Sequence, residues 1–253
     1  PGARYPVWGG FMQKRAGTAR HDAVAWGYAR ACSDMGMHII QNCAVTGVDT
    51  AGGRVRAVET AKGRIECDSL AMVVAGHSSV LAGMAGFRLP IESIALQALV
   101  SEPIKPCLDV VVMANTVHGY LSQSDKGELV IGSGTDQYTS YSQRGGLPLI
   151  EHTIAAITEI FPIFSRMRML RKWGGIVDVT PDRSPIIAKT PVPGLYVNCG
   201  WGTGGFKAIP GSGWAMAELV ANGTPGPLAA EFGLNRFREG RFIDESVAAG
   251  VAH

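Results

Sequence analysis

Lys207 closes the run Gly200-Trp201-Gly202-Thr203-Gly204-Gly205-Phe206-Lys207, which holds four glycines. Glycine has no Cβ, so a flat or charged ligand can approach this backbone closely. A helix start behind the run would aim N–H groups and partial positive charge at that ligand. Lys207 adds a full positive charge at the same place. A glycine-rich helix cap with a solvated lysine also fits these residues. Gly200, Gly202 and Gly205 match GxGxxG, but the dinucleotide fingerprint needs a second parallel strand after its helix. Here the helix-like Trp214–Ala221 runs into Asn222-Gly223-Thr224-Pro225-Gly226-Pro227, and no strand pattern follows.

Arg20-His21-Asp22 is a second place where chemistry is possible. Imidazole, with a pKa of about 6.5, is a competent nucleophile at neutral pH. A histidine followed by an aspartate also fits an ordinary first helical turn. His77, His118 and His152 show no metal-ligand spacing and read as structural. Tyr120, Tyr138 and Tyr141 suit either a substrate pocket or core and surface positions. The five cysteines (Cys32, Cys43, Cys67, Cys107, Cys199) form no CxxC pair. That spacing suggests neither zinc nor a disulfide framework, and buried reduced thiols in a cytoplasmic protein are expected.

These residues need elements to hold them. Val24, Ala25, Tyr28, Ala29 and Cys32 share one face of a predicted helix over 21–35, which Gly36 ends. Strand-like runs follow at 38–41, 44–48, 54–60, 64–67 and 70–75, with Gly52-Gly53 as a turn. A short helix is expected from Val80. From Leu89 the pattern shifts to an antiparallel sheet, with runs at 94–101, 110–114, 119–123, 129–135 and 172–178. A helix within 148–169 would carry Ile154, Ile157, Ile160 and Phe161 on one side. Strands at 186–189 and 195–199 return to the first pattern. The expected organisation is two interleaved domains: 1–88 with 185–253, and a central sheet domain over 89–184.

With 253 residues, 46% hydrophobic and 17% charged, the chain has the composition of a globular protein. Its formal charge of +2 argues against nucleic acid as the main partner. No run of 18 apolar residues predicts a membrane span, and the opening lacks a signal-peptide pattern.

Three stretches together resemble the flavin-dependent amine oxidases of the D-amino-acid oxidase type, and within them the β subunits of heterotetrameric sarcosine oxidases. They are Ala16–Trp26, Trp173–Ile187 and Tyr196–Lys207. The resemblance implies an α/β (α+β) fold: part of an FAD-binding domain plus an antiparallel-sheet substrate domain. It also implies that the chain corresponds to the C-terminal three-fifths of such a subunit, without the N-terminal βαβ unit that binds the FAD diphosphate. By resemblance, FMN is attached covalently to His21, with Arg20 close to it and Arg171 a candidate for its phosphate or ring. FAD is held non-covalently, with Val45 at adenine and Gly202 and Gly205 beside the ring. Lys207 is the catalytic-site cation for the substrate carboxylate. The loop Gly76-His77-Ser78 resembles one near the FAD.

The implied activity is oxidative demethylation of sarcosine to glycine, with formaldehyde or methylene-tetrahydrofolate and hydrogen peroxide as the other products. Partner α, γ and δ subunits, molecular oxygen and tetrahydrofolate are implied with it. Two alternatives remain: a related oxidase or dehydrogenase of dimethylglycine or glycine, and an inactive assembly module.

Overall fold

A computed structural model describes residues 2–4 and 6–243; the ends of the expected 1–88 and 185–253 stretches lie outside the described residues. The chain divides into two compact units. One comprises Ile94–Ile176 with the described residues before Arg20. The other comprises Arg20–Ser93 with the described residues from Val177 onward.

The second unit begins with helix α1 (His21–Asp34), which Gly36 terminates at φ +91°. No residue of α1 is buried. Strands β1 (Val45–Asp49), β2 (Ala57–Thr60) and β3 (Gly63–Glu66) form an antiparallel sheet in chain order. Strand β4 (Leu70–Met72) and helix α2 (Ser78–Met84) follow. The strand expected at 38–41 is absent, and Ile39 and Ile40 are exposed there without a sheet partner. A strand needs a ladder, and a short apolar run does not supply one by itself.

The first unit carries β5 (Glu92–Pro103) from Ile94 on, β6 (Val112–Ala114), β7 (Gly119–Gln123), β8 (Glu128–Thr139), helix α3 (Leu147–Ile160) and β9 (Met169–Val179) up to Ile176; the end of β9, with Asp178, belongs to the second unit. Its five-stranded sheet has the order β6-β7-β8-β5-β9, with β5/β8, β6/β7 and β7/β8 antiparallel. Side chains alternate across a strand, so Leu129 and Ile131 fall on one face with Leu99 and Leu121, and Ile157 of α3 packs there. The buried stripe of α3 is Thr153, Ala156 and Ile157, whereas Ile154 is exposed. The stripe is thus shifted from the expected one, because Thr153 bonds Ser133 inside. The Tyr120 ring lies over Gly132 on the neighbouring strand, where a Cβ would come within 2.4 Å of it. Tyr138 and Tyr141 are exposed.

The chain then returns to the second unit with β10 (Ile186–Lys189), β11 (Leu195–Cys199), helix α4 (Gly205–Asn222) and the short helix α5 (Asn235–Arg238). Strand order is β10-β11-β4, antiparallel then parallel. Period-two alternation sorts β10 to both faces. Ile186 and Ala188 join Val197, Met72, Ala82 and Leu89 on the α2 side. Ile187 joins Ala215, Met216 and Leu219 of α4 on the other. Each such large aliphatic side chain contributes roughly 1.5–3 kcal/mol by burial, which fixes α4 against the sheet. Helix α4 starts nine residues before the expected Trp214 and runs through Pro210. Proline there removes a ladder bond and crowds the carbonyl one turn back, and the packed stripe beyond it holds the helix.

Cys199 alone among the cysteines is buried; Cys107 is exposed and the other three are partly so. The expectation of buried, unpaired thiols holds for Cys199; the other four are unpaired but not fully buried. Burial pushes the Cys199 thiol up to about 12, with the nearby Asp178 charge adding to the effect.

Candidate functional site

The glycine run leaves the end of β11 and enters α4 through a 3-10 turn, Gly202–Gly204. Gly200 takes φ +76°, and a Cβ there would stand 2.7 Å from Thr180 Cγ2. Only glycine meets both conditions without strain. Gly202 is also left-handed, at φ +50°.

Beneath the run lies Asp178, 2% exposed, at the end of β9. The Gly200 amide donates to Asp178 Oδ2 at 2.5 Å. Burial pushes the Asp178 carboxyl above the usual carboxylate range; hydrogen bonds from the amides of Gly200, Trp201 and Gly202 pull the other way. The amides at the root of the loop therefore face inward, onto this chain's own carboxylate. The Trp201 indole donates to Asn198 Oδ1 at 2.6 Å, and Asn198 Nδ2 donates to the Ser212 carbonyl at 3.3 Å. Sequence reasoning placed Asp178 in a strand and gave it no role.

Helix α4 begins without a side-chain cap and without an acidic residue in its first turn. Lys207 lies in that turn, is exposed, and forms no ion pair among the described residues. A cation at a helix N-terminus opposes the helix dipole, so the arrangement favours an added anion. Lys207 lines a cleft of about 560 Å³ with Phe206 and Pro210 of α4 and Val24, Gly27 and Tyr28 of α1. Small-molecule sites span roughly 300–1,000 Å³. The mostly apolar walls and single ammonium suit a flat aromatic ligand with an anionic companion.

His21 does not line that cleft. It lies three residues before Val24 and seven before Tyr28, so it continues their stripe one turn toward the N-terminus. Arg20 precedes the helix and pairs with Asp22 at 3.3 Å, both exposed. Val45 lines a separate apolar cavity of about 100 Å³ with Val48, Val58, Leu70 and Leu195. Arg171 is exposed on β9 in the other unit. The cleft thus joins Lys207 to the α1 stripe that His21 extends; Val45 stands apart from it.

A second buried carboxylate organises the turn that leads into β10. Asp182 receives Nε and Nη2 of Arg236 at 2.7 and 3.0 Å, with both side chains at most 2% exposed. Arg236 also donates to the carbonyls of Ser184 and Gly233 and packs over Phe237. Burial alone would raise the Asp182 carboxyl, but the guanidinium and the amides of Ile243 and Ser184 outweigh it and hold it below the usual range.

Among the described residues no helix is long and apolar enough to cross a membrane, and no cluster of His, Cys, Asp and Glu could hold a metal. No strand follows α4 among them, so they hold no strand–glycine turn–helix–strand unit for a dinucleotide diphosphate.

The sequence model of the family described as "FAD dependent oxidoreductase" matches residues 1–219. The chain is 73% identical over 252 residues to "Sarcosine oxidase subunit beta" of Rhodobacter capsulatus, covering 100% of this chain and 61% of that protein. It is 55% identical over 250 residues to the protein of the same name from Arthrobacter sp, covering 99% and 62%. The chain therefore spans about three-fifths of these relatives' length. L-proline dehydrogenase from P. horikoshii superposes with a TM-score of 0.81 at 24% identity, over 87% of this chain and 60% of that one. At that identity the match speaks for the fold.

Proposed function

This chain belongs to the FAD dependent oxidoreductase family, and from that premise we propose that it is part of the β subunit of a sarcosine-demethylating flavin oxidase. The observation that carries this reading is 73% identity along 252 residues to a protein named sarcosine oxidase subunit beta. The placement of Lys207 beside a cleft of flavin-accommodating size supports it.

Bound flavin supplies the acceptor for the two electrons and the hydrogen that leave the substrate carbon. This chain's residues bind and orient. Lys207 pairs with the amino-acid carboxylate and holds that end of the substrate. Gly202 and Gly205 keep the backbone low enough for a ring to lie against it. Val45 supports the adenine end of FAD. His21 tethers FMN through an imidazole nitrogen, and Arg20 and Arg171 bring positive charge to that group. Water hydrolyses the oxidised substrate's carbon–nitrogen double bond, releasing glycine and formaldehyde, or tetrahydrofolate takes up the carbon instead. Oxygen is reduced to hydrogen peroxide. The name "subunit beta" of the relatives supports assembly with partner chains; we assign these as α, γ and δ subunits and the assembly to the cytoplasm.

Two measurements test this. Intact mass of the purified protein should include one FMN, and His21→Ala should remove it. Lys207→Met should raise KM for sarcosine by at least tenfold. A protein with no covalent flavin, or a Lys207→Met variant with unchanged kinetics, would refute the corresponding assignment.

A further inference from the structure

We infer that Asp178 is the positioning residue of the Gly200–Lys207 loop, gathering the amides at its root so that Lys207 is presented at one fixed place beside the cleft. This rests on the reading of Lys207 as the anchor for the substrate carboxylate.

Asp178 is buried and forms no ion pair among the described residues. A lone buried carboxylate is strongly disfavoured unless donors surround it. Here the donor at hydrogen-bond distance is the Gly200 N–H, at 2.5 Å, and the Trp201 and Gly202 amides beside it also favour the ionised carboxylate. The dependence runs both ways. A left-handed glycine followed by a 3-10 turn leaves successive amides outside any sheet or helix ladder, and buried amides need acceptors. An ionised carboxylate offers two oxygens and no donor, which a neutral amide side chain cannot match. Gly200 cannot back away, because its α-hydrogen side faces Thr180, whose hydroxyl is itself tied to the Ser184 carbonyl at 2.8 Å. Asn198 secures the next residue through the Trp201 indole and bonds into α4 at Ser212. With its root fixed from below and its flank from the side, the loop delivers the first turn of α4 in one orientation. Burial raises the Asp178 carboxyl, and the amides act against that rise with no cation to help them.

The test uses the protein isolated with its flavins and partner subunits, and compares sarcosine with sarcosinamide, which lacks the carboxylate. In the unaltered protein sarcosine should be preferred. Asp178→Asn should shrink the ratio of their kcat/KM values at least tenfold, through KM for sarcosine, while sarcosinamide turnover changes little. A merely structural role would weaken both substrates together and leave the ratio intact, overturning the inference. Hydrogen exchange read residue by residue supplies the second arm and needs no turnover. The amides of Gly200, Trp201 and Gly202 should be protected in the unaltered protein and should exchange at least tenfold faster in Asp178→Asn. If that variant does not fold, lack of protection at those amides in the unaltered protein overturns the inference, and protection above that of Thr203 supports it. Absent sarcosine turnover in the unaltered protein would sink the sarcosine reading, while the exchange result would still decide whether Asp178 grips the loop.

Discussion

Asp178 and Asp182 lie four residues apart, both have buried side chains, and their carboxyls move in opposite directions. Asp178 is held by backbone amides and is raised; Asp182 is held by a guanidinium and is lowered. Burial raises both; the amides on Asp178 lower it too little to offset its deeper desolvation, whereas the guanidinium and amides on Asp182 outweigh theirs. The difference also separates two jobs. The Asp182–Arg236 pair ties one stretch of chain to another 54 residues away. Asp178 shapes a loop by satisfying donors that the loop itself leaves over.

Arg236→Met should test the contrast hardest. It strands Asp182 in a buried place, and urea unfolding should show a loss of about 3–5 kcal/mol. Gly200→Ala comes next: a left-handed backbone and a 2.7 Å contact with Thr180 Cγ2 should cost about 2–3 kcal/mol in the same assay. Asp178→Asn should lose about 1–3 kcal/mol, the penalty for amides left without an acceptor. Should it lose as much as Arg236→Met, the distinction between the two carboxylates would fail.

The pH signatures are smaller and opposite. Asp182 is lowered on folding, so its contribution is fully present above about pH 4 and is lost as pH falls through its folded value. Arg236→Met should abolish that acid-side loss. Asp178 is raised on folding, so its contribution is full below about pH 4 and is lost as pH rises through its folded value. Asp178→Asn should flatten that segment of a stability-versus-pH curve and leave the Asp182 limb in place. Least affected should be Trp26→Ala on exposed α1, which should move stability by no more than about 0.5 kcal/mol; a larger change would show that α1 is packed more tightly than its exposure indicates.

The sheets were largely legible from period-two runs. Residues 119–123, 186–189 and 195–199 fold as the strands their alternation predicts. Leu147–Ile160 was legible as a helix, though its buried stripe turned on Thr153, a polar residue with an internal partner. The start of α4 was hidden by Pro210 and the glycines, whose helix propensity is poor; packing of Met216 and Leu219 overrides it. The strand expected at 38–41 failed because alternation and apolarity say nothing about a neighbouring strand. Within the site, the glycine loop and Lys207 stood out by composition. Asp178 did not, because its partner Gly200 is 22 residues away and an aspartate near a strand end looks like any polar edge position. Arg236, near the described end of the chain, gave no local hint of its distant carboxylate.

Trp201 has a consequence of its own. Of the five tryptophans, Trp8, Trp26, Trp173 and Trp214 are exposed, while Trp201 is half-buried with its indole bonded to Asn198. The blue edge of intrinsic fluorescence should therefore come mainly from a reporter seated inside the glycine loop. Loosening of that loop would register as a red shift in emission before any global melting, giving an optical gauge of the segment that needs no label.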